Sequence, residues 1–167
     1  HTFGEKVEEV LVEKLVELDG RFTAPDNKRE MQDVSFNDDL INIKFGFDKK
    51  GQPNMVAFNR LSTRYLKGEI DSYYIISIDG KTNNVTLFDL YQQLPYTNYN
   101  VGTGQVMLKE KQFFSQFDQS KDYSISKYTI INTMRQMKLQ SHKDHVKLKE
   151  EQLKKSLELF DKTLSQY

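Results

Sequence analysis

Asp33, Asn42 and Lys44 are the residues whose types and spacing best suit chemistry: a carboxylate, an amide and an ammonium within one short stretch. Asn37-Asp38 between them is turn chemistry, because both residues tolerate positive φ. A two-residue loop there pairs 36 with 39, 35 with 40, 34 with 41 and 33 with 42. Asp33 then stands opposite Asn42, with Cβ atoms about 4.5–5.5 Å apart. Alternation along the strand places Lys44 on that same face. Val34, Phe36, Ile41, Ile43 and Phe45 fall on the other face, which reads as core. The polar face suits phosphodiester hydrolysis. A carboxylate and a neutral oxygen can hold Mg²⁺, a hard cation that prefers oxygen ligands. Such a cation acidifies bound water and neutralises phosphate charge, and a nearby lysine can orient or deprotonate that water. The plainer reading is a surface hairpin with ordinary polar residues, and a three-residue loop would shift the register by one.

The elements around this hairpin must position it. Val7, Val10, Leu11, Leu15 and Leu18 recur at helical spacings and predict a helix over Phe3–Leu18, with Asp19-Gly20 ending it and Gly20 as its C′ residue. Glu8 lies one turn before Leu11 and Val12, at the border of the apolar stripe, whereas Glu9, Glu13 and Glu17 read as a solvated face. A short strand is expected near Arg21–Ala24, followed by a loop containing Pro25-Asp26. Asp48–Gly51 reads as a turn and Pro53–Leu66 as a helix, with Arg60 and Arg64 one turn apart on one face. Asp71–Asp79 and Val85–Tyr91 read as strands, and their apolar and aromatic runs suit central positions covered on both faces.

Leu94–Gly104 is rich in Tyr, Asn and Gly. It reads either as a turn-rich connection or as a loop that reads base edges through Tyr99, Asn100, Thr103, Gln105 and Lys109. Gln105–Leu108 is a short strand and Lys111–Phe117 a short helix or turn. From Ser126 to Tyr167 the chain reads as helix, with one apolar stripe at Ile130, Met134 and Met137 and a second at Val146, Leu153, Leu157, Phe160 and Leu164. The second stripe is coiled-coil-like. Residues 127–149 carry Lys127, Arg135, Lys138, Lys143, Lys147 and Lys149 against one acid, Asp144. This basic window is either a solvated face or a surface for a phosphate backbone.

Composition sets the bounds. The 167 residues suffice for one domain with a real core, 29% are charged, and no apolar run is long enough to span a membrane. No signal peptide is visible, and a cytoplasmic protein is expected. There is no cysteine, which excludes disulfides and thiolate-bound zinc. The net charge of zero hides a balance of −4 over residues 1–102 and +4 over 103–167. Gly102-Thr103-Gly104 is too short for a nucleotide fingerprint, so no nucleotide cofactor is expected.

A Gly4-x-x-x-Glu8 helix, then Asp33 leading a hairpin, then Asn42-Ile43-Lys44 resembles the PD-(D/E)XK nucleases, specifically type II restriction endonucleases. Gln52-Pro53-Asn54 is similar to the segment that follows the catalytic lysine in some of these enzymes. The resemblance covers residues 3–91 and departs in two places: Gln32 stands where the motif has Pro, and Asn42 where it usually has Asp or Glu. It implies an α/β fold with a mixed central sheet flanked by helices, a core over about residues 3–125, and a helical extension from about 126 to 167. It further implies that Asp33 and the Ile43 carbonyl bind Mg²⁺, with Asn42 at the second ligand position. Lys44 would activate water and Glu8 would hold a metal-bound water. The activity implied is sequence-specific cleavage of double-stranded DNA to 5′-phosphate and 3′-hydroxyl ends by a homodimer. DNA contacts are expected from Gln52, Asn54, Arg60, Arg135, Lys138 and Lys143, together with the 99–109 segment. Asn42 keeps open a non-catalytic DNA-binding or assembly module on the same fold, and a structure-specific repair nuclease is a further reading.

Overall fold

A computed structural model describes residues 2–27, 29–46, 54–109 and 117–167. Helix α1 (Phe3–Leu18) starts at a capping box, in which Thr2 Oγ1 accepts the Glu5 N–H and Glu5 accepts the Thr2 N–H. It ends at Asp19 in extended geometry, so Gly20 is not the left-handed C′ residue expected. Leu11, Val12 and Leu15 pack on Val34, Ile41 and Ile43, while Val10 and Leu18 are exposed.

The main sheet runs β1 (Phe22–Thr23), β2 (Val34–Phe36), β3 (Asp39–Gly46), β5 (Tyr74–Asp79), β6 (Val85–Asp89) in that spatial order. Pairing is antiparallel except between β3 and β5, so the sheet is mixed. The β2–β3 hairpin has the predicted register, with Val34 opposite Ile41, Ser35 opposite Leu40 and Phe36 opposite Asp39. Asn37 takes φ 51° at its turn. Parallel β3 and β5 require a crossover, supplied by residues 47–73 with β4 (Asn54–Ala57) and α2 (Phe58–Leu66). The expected helix over Pro53–Leu66 is therefore shorter, because residues 54–57 are strand. Met55 and Val56 are buried there in a sheet, a role that suits Val56. Val85–Tyr91 is also corrected. Its strand, β6, ends at Asp89 and lies at the sheet edge, with Val85 and Leu87 exposed rather than doubly covered.

A second, three-stranded sheet has the order β4, β8 (Gln105–Leu108), β7 (Thr97–Asn100). The 94–104 segment is thus a 3₁₀ turn (Leu94–Tyr96), a strand and a tight turn, not a free loop. The large core lies between the sheets and is closed by Phe58, Leu61 and Tyr65 of α2 and by Ile130 and Met134 of the long helix α3 (Lys127–Leu164). Each fully buried aliphatic side chain there contributes about 1.5–3 kcal/mol. Beyond residue 148, α3 is exposed on every side. Of the expected elements, the turn at Asp48–Gly51 and residues 111–116 lie outside the described residues. No described helix is long and apolar enough to cross a membrane.

Candidate active site

The end of the hairpin is where the polar residues converge. Past Val34 the chain leaves the β2 ladder, so the backbone groups of Ile43 and Phe45 on that edge of β3 meet side chains. Asp33 donates its N–H to the Ile41 carbonyl at 2.9 Å, and its Oδ2 accepts the Ile43 N–H at 2.7 Å. Two residues on, Glu8 Oε1 of α1 accepts the Phe45 N–H at 3.0 Å. Residues 41, 43 and 45 direct their N–H and C=O groups to the same strand edge, because backbone groups repeat every second residue. The Ile43 carbonyl therefore opens on the edge that holds both carboxylates.

Gly4 lets α1 approach this edge. A Cβ at residue 4 would stand 3.3 Å from the Phe45 carbonyl oxygen. One turn further along the helix, Glu8 then reaches the Phe45 N–H.

Electrostatics bind the group together. Burial pushes the Asp33 carboxyl above its usual value, opposed by the Ile43 hydrogen bond and the Lys44 charge. Burial likewise raises Glu8, opposed by the Phe45 hydrogen bond and by Lys44, with Asp33 adding to the rise. Lys44 thus stabilises both anions. The structure brings Glu8, Asp33, Ile43 and Lys44 together.

Asn42 differs from the expectation in its surroundings. It shares the Asp33 face but is buried, because Leu40, Tyr73 and Ile75 extend the main core across that side of the sheet. Its Oδ1 is buried and accepts no hydrogen bond. The neighbouring phenol is Tyr73, fully buried, whose hydroxyl donates to the Met31 carbonyl. Burial, with the Asp33 charge adding, pushes this phenol well above its usual range, and a hydrogen bond with the Asn42 side chain opposes the rise. Tyr73 was not legible as a site residue, since its sequence context is that of any strand aromatic.

An open cleft of about 550 Å³ lies on the α1 side, lined by Glu5, Glu8, Glu9, Glu13, Glu30 and Asp33, with Gln32 beside them. Gln32 Oε1 is a second buried oxygen without a hydrogen-bond partner. Glu9 and Glu13, read from sequence as solvated, share this cleft with the candidate carboxylates. Their i,i+4 repeat with Glu5 was the available signal. So acidic a wall repels a phosphodiester until a cation offsets it.

The donor set fits one hard cation. Asp33 keeps an oxygen beyond its Ile43 bond, and the Ile43 carbonyl shares its edge. Asn42 Oδ1 is an acceptor without a donor, and Glu8 can orient a coordinated water. Among the described residues no three or more His, Asp or Glu side chains converge as a metal-binding group. A cation here would therefore draw on mixed carboxylate, carbonyl and amide oxygens.

The expected DNA-contacting residues divide. Arg60 of α2 donates to the Arg29 carbonyl at 2.7 Å, four residues before Asp33, and next to it Asn59 Oδ1 accepts from Lys138 Nζ at 2.8 Å. A polar path thus runs from the Asp33 edge over α2 to the basic face of α3, where Arg135 and Lys143 are exposed. Tyr99, Asn100, Thr103, Gln105 and Lys109 belong to the second sheet, and several have structural work. Tyr99 hydrogen-bonds His145 Nε2 at 2.8 Å and meets Phe58 edge-on. Asn100 Oδ1 caps the turn by accepting the Gly102 and Thr103 N–H groups. Gln105 pairs with Ala57 and Asn100, and the Lys109 N–H bonds the Tyr96 carbonyl. These roles correct a reading of Tyr99 and Asn100 as free base-reading side chains. Asn54 opens β4, not a helix, and Gln52 lies outside the described residues. Neither a protein-family model nor a curated protein matches this chain, so the chemistry of its own residues carries the functional reading.

Proposed function

We propose that this protein is a Mg²⁺-dependent endonuclease of double-stranded DNA, similar in its site to PD-(D/E)XK restriction enzymes. One observation carries the reading. Asp33 and Glu8, from segments 25 residues apart, each grip a backbone N–H on the same edge of β3, with Lys44 stabilising both charges. A fold has little reason to place two carboxylates whose pKa values burial raises at one sheet edge, unless a cation is to be held there.

Asp33 and the Ile43 carbonyl would hold the cation, with Asn42 Oδ1 as the neutral oxygen of the set. When bound, Mg²⁺ lowers the pKa of its water and offsets charge on the scissile phosphate. Glu8 orients a water on that edge. The Lys44 ammonium positions the attacking water, whose proton passes to solvent, and its charge stabilises the anionic phosphate during attack. Arg60, Lys138, Arg135 and Lys143 bind the DNA backbone, which gives affinity without reading sequence. The products are a 5′-phosphate and a 3′-hydroxyl.

The buried, uncharged Asn42 favours a second reading, a DNA-binding or assembly module on the same fold that does not cleave. Incubating supercoiled and linear DNA with Mg²⁺ separates the two. Discrete fragments from the wild type, lost in both Asp33→Ala and Lys44→Ala, support cleavage at this site. Binding without cleavage in either Mg²⁺ or Mn²⁺ sinks the enzyme reading. Ragged degradation independent of sequence points to a repair-type nuclease.

A further inference from the structure

The distal half of α3 has an apolar seam that the other described residues leave uncovered. Leu139, Val146, Leu153, Phe160 and Tyr167 recur every seven residues, and Leu157 and Leu164 complete a heptad core. Leu153 is 60% exposed, Leu157 51%, Phe160 66% and Leu164 67%. A seam of period seven selects another helix as its cover, because that repeat keeps one stripe facing a supercoiled partner.

Charge chooses the occupant and its direction. In a parallel pair of identical helices, Lys143 and Glu150 would each meet their own copy in the core, and Lys149 would flank Lys154. An antiparallel pair avoids this. With Leu157 against Phe160 of a second copy and Leu153 against its Leu164, every core layer from 153 to 164 is apolar. The flanking positions then place Lys154 beside Asp161 of the second copy, twice by symmetry, and the opposite flank pairs Ser156 with Thr163. No like charges meet. A two-fold axis also makes the surface self-complementary, as a closed dimer requires.

We infer that this protein self-associates through antiparallel pairing of its α3 tails over residues 153–164. The overlap is shorter than a standard interface, so the pairing is expected in the micromolar range. The inference does not depend on the nuclease reading, since it uses none of that site's residues.

The intact protein tests it. Sedimentation velocity over a concentration series is expected to show a monomer–dimer equilibrium. Asp161→Lys is expected to weaken it about tenfold, and Lys154→Asp combined with Asp161→Lys to restore it. Because the chain has no cysteine, introduced thiols report direction cleanly. Leu153→Cys mixed with Leu164→Cys is expected to form a mixed disulfide. Leu153→Cys alone is expected not to cross-link, since the two thiols lie about 16 Å apart along the axis. A monomer at every concentration, or ready cross-linking of Leu153→Cys to itself, would overturn the inference. Circular dichroism of each variant checks that α3 stays helical.

Discussion

Glu8 Oε1 accepts the backbone N–H of Phe45 at 3.0 Å, joining the first helix to the far end of the hairpin across 37 residues of chain. The contact closes the edge on which Asp33 holds the Ile43 N–H. It makes α1 part of the candidate site as well as a cover for the sheet.

Glu8→Gln and Glu8→Ala therefore separate the structural role of this side chain from its charge. The amide retains an oxygen for the Phe45 N–H, so Glu8→Gln is expected to keep wild-type stability. Glu8→Ala removes that acceptor and is expected to lose about 1–3 kcal/mol. Both are expected to need more Mg²⁺ and to cleave DNA about 10–100-fold less well. Urea unfolding and Mg²⁺ titration of cleavage check the pair. An unchanged Mg²⁺ requirement in Glu8→Gln would remove Glu8 from the site.

Asn42 offers a trade between stability and function. Its Oδ1 is buried with no donor, and such a group costs free energy in the folded state. Asn42→Leu, of similar volume, is expected to leave stability within about 1 kcal/mol or raise it, while cleavage is lost. A marked loss of stability in thermal melts would show that the amide's hydrogen bond with Tyr73 outweighs the cost of its buried oxygen.

Asp89 governs a pH dependence far from this edge. Its carboxyl is pushed up to about 6, from 3.8, mainly by burial. Hydrogen bonds from the Tyr73 and Tyr91 N–H groups pull the other way, and Asp71 and Asp39 add to the rise. Folded Asp89 keeps its proton to higher pH than the unfolded chain does. The folded state thus binds more protons between about pH 4 and 6, and stability falls as pH rises through that window. Both accepted bonds end on one oxygen, Oδ1, which an amide can supply. Asp89→Asn is expected to match the wild type near pH 4 and to exceed it at pH 7 by up to about 3 kcal/mol. Urea unfolding at the two pH values measures the difference. An equal pH slope in both proteins would assign the effect to other groups.

The sequence by itself determined the local architecture wherever one periodicity ruled. Helix α1, the hairpin register and helix α3 follow from apolar spacing and from Asn37-Asp38, because these choices are made between near neighbours. Asp33, Asn42 and Lys44 were legible for the same reason: pairing in a hairpin converts sequence distance into spatial distance. Long-range packing decided the rest. Residues 54–57 are strand because β8 offers them a ladder, and β6 is an edge because no other described strand pairs along its far side. Asn42 is buried because Tyr73, more than thirty residues away, closes over its face. Tyr99 and Asn100, which read as free polar side chains, are held by His145 and by their own turn. Above all, only the tertiary structure could bring Glu8 to Phe45, since no local pattern records that a helix and a strand edge 37 residues apart will share one hydrogen bond.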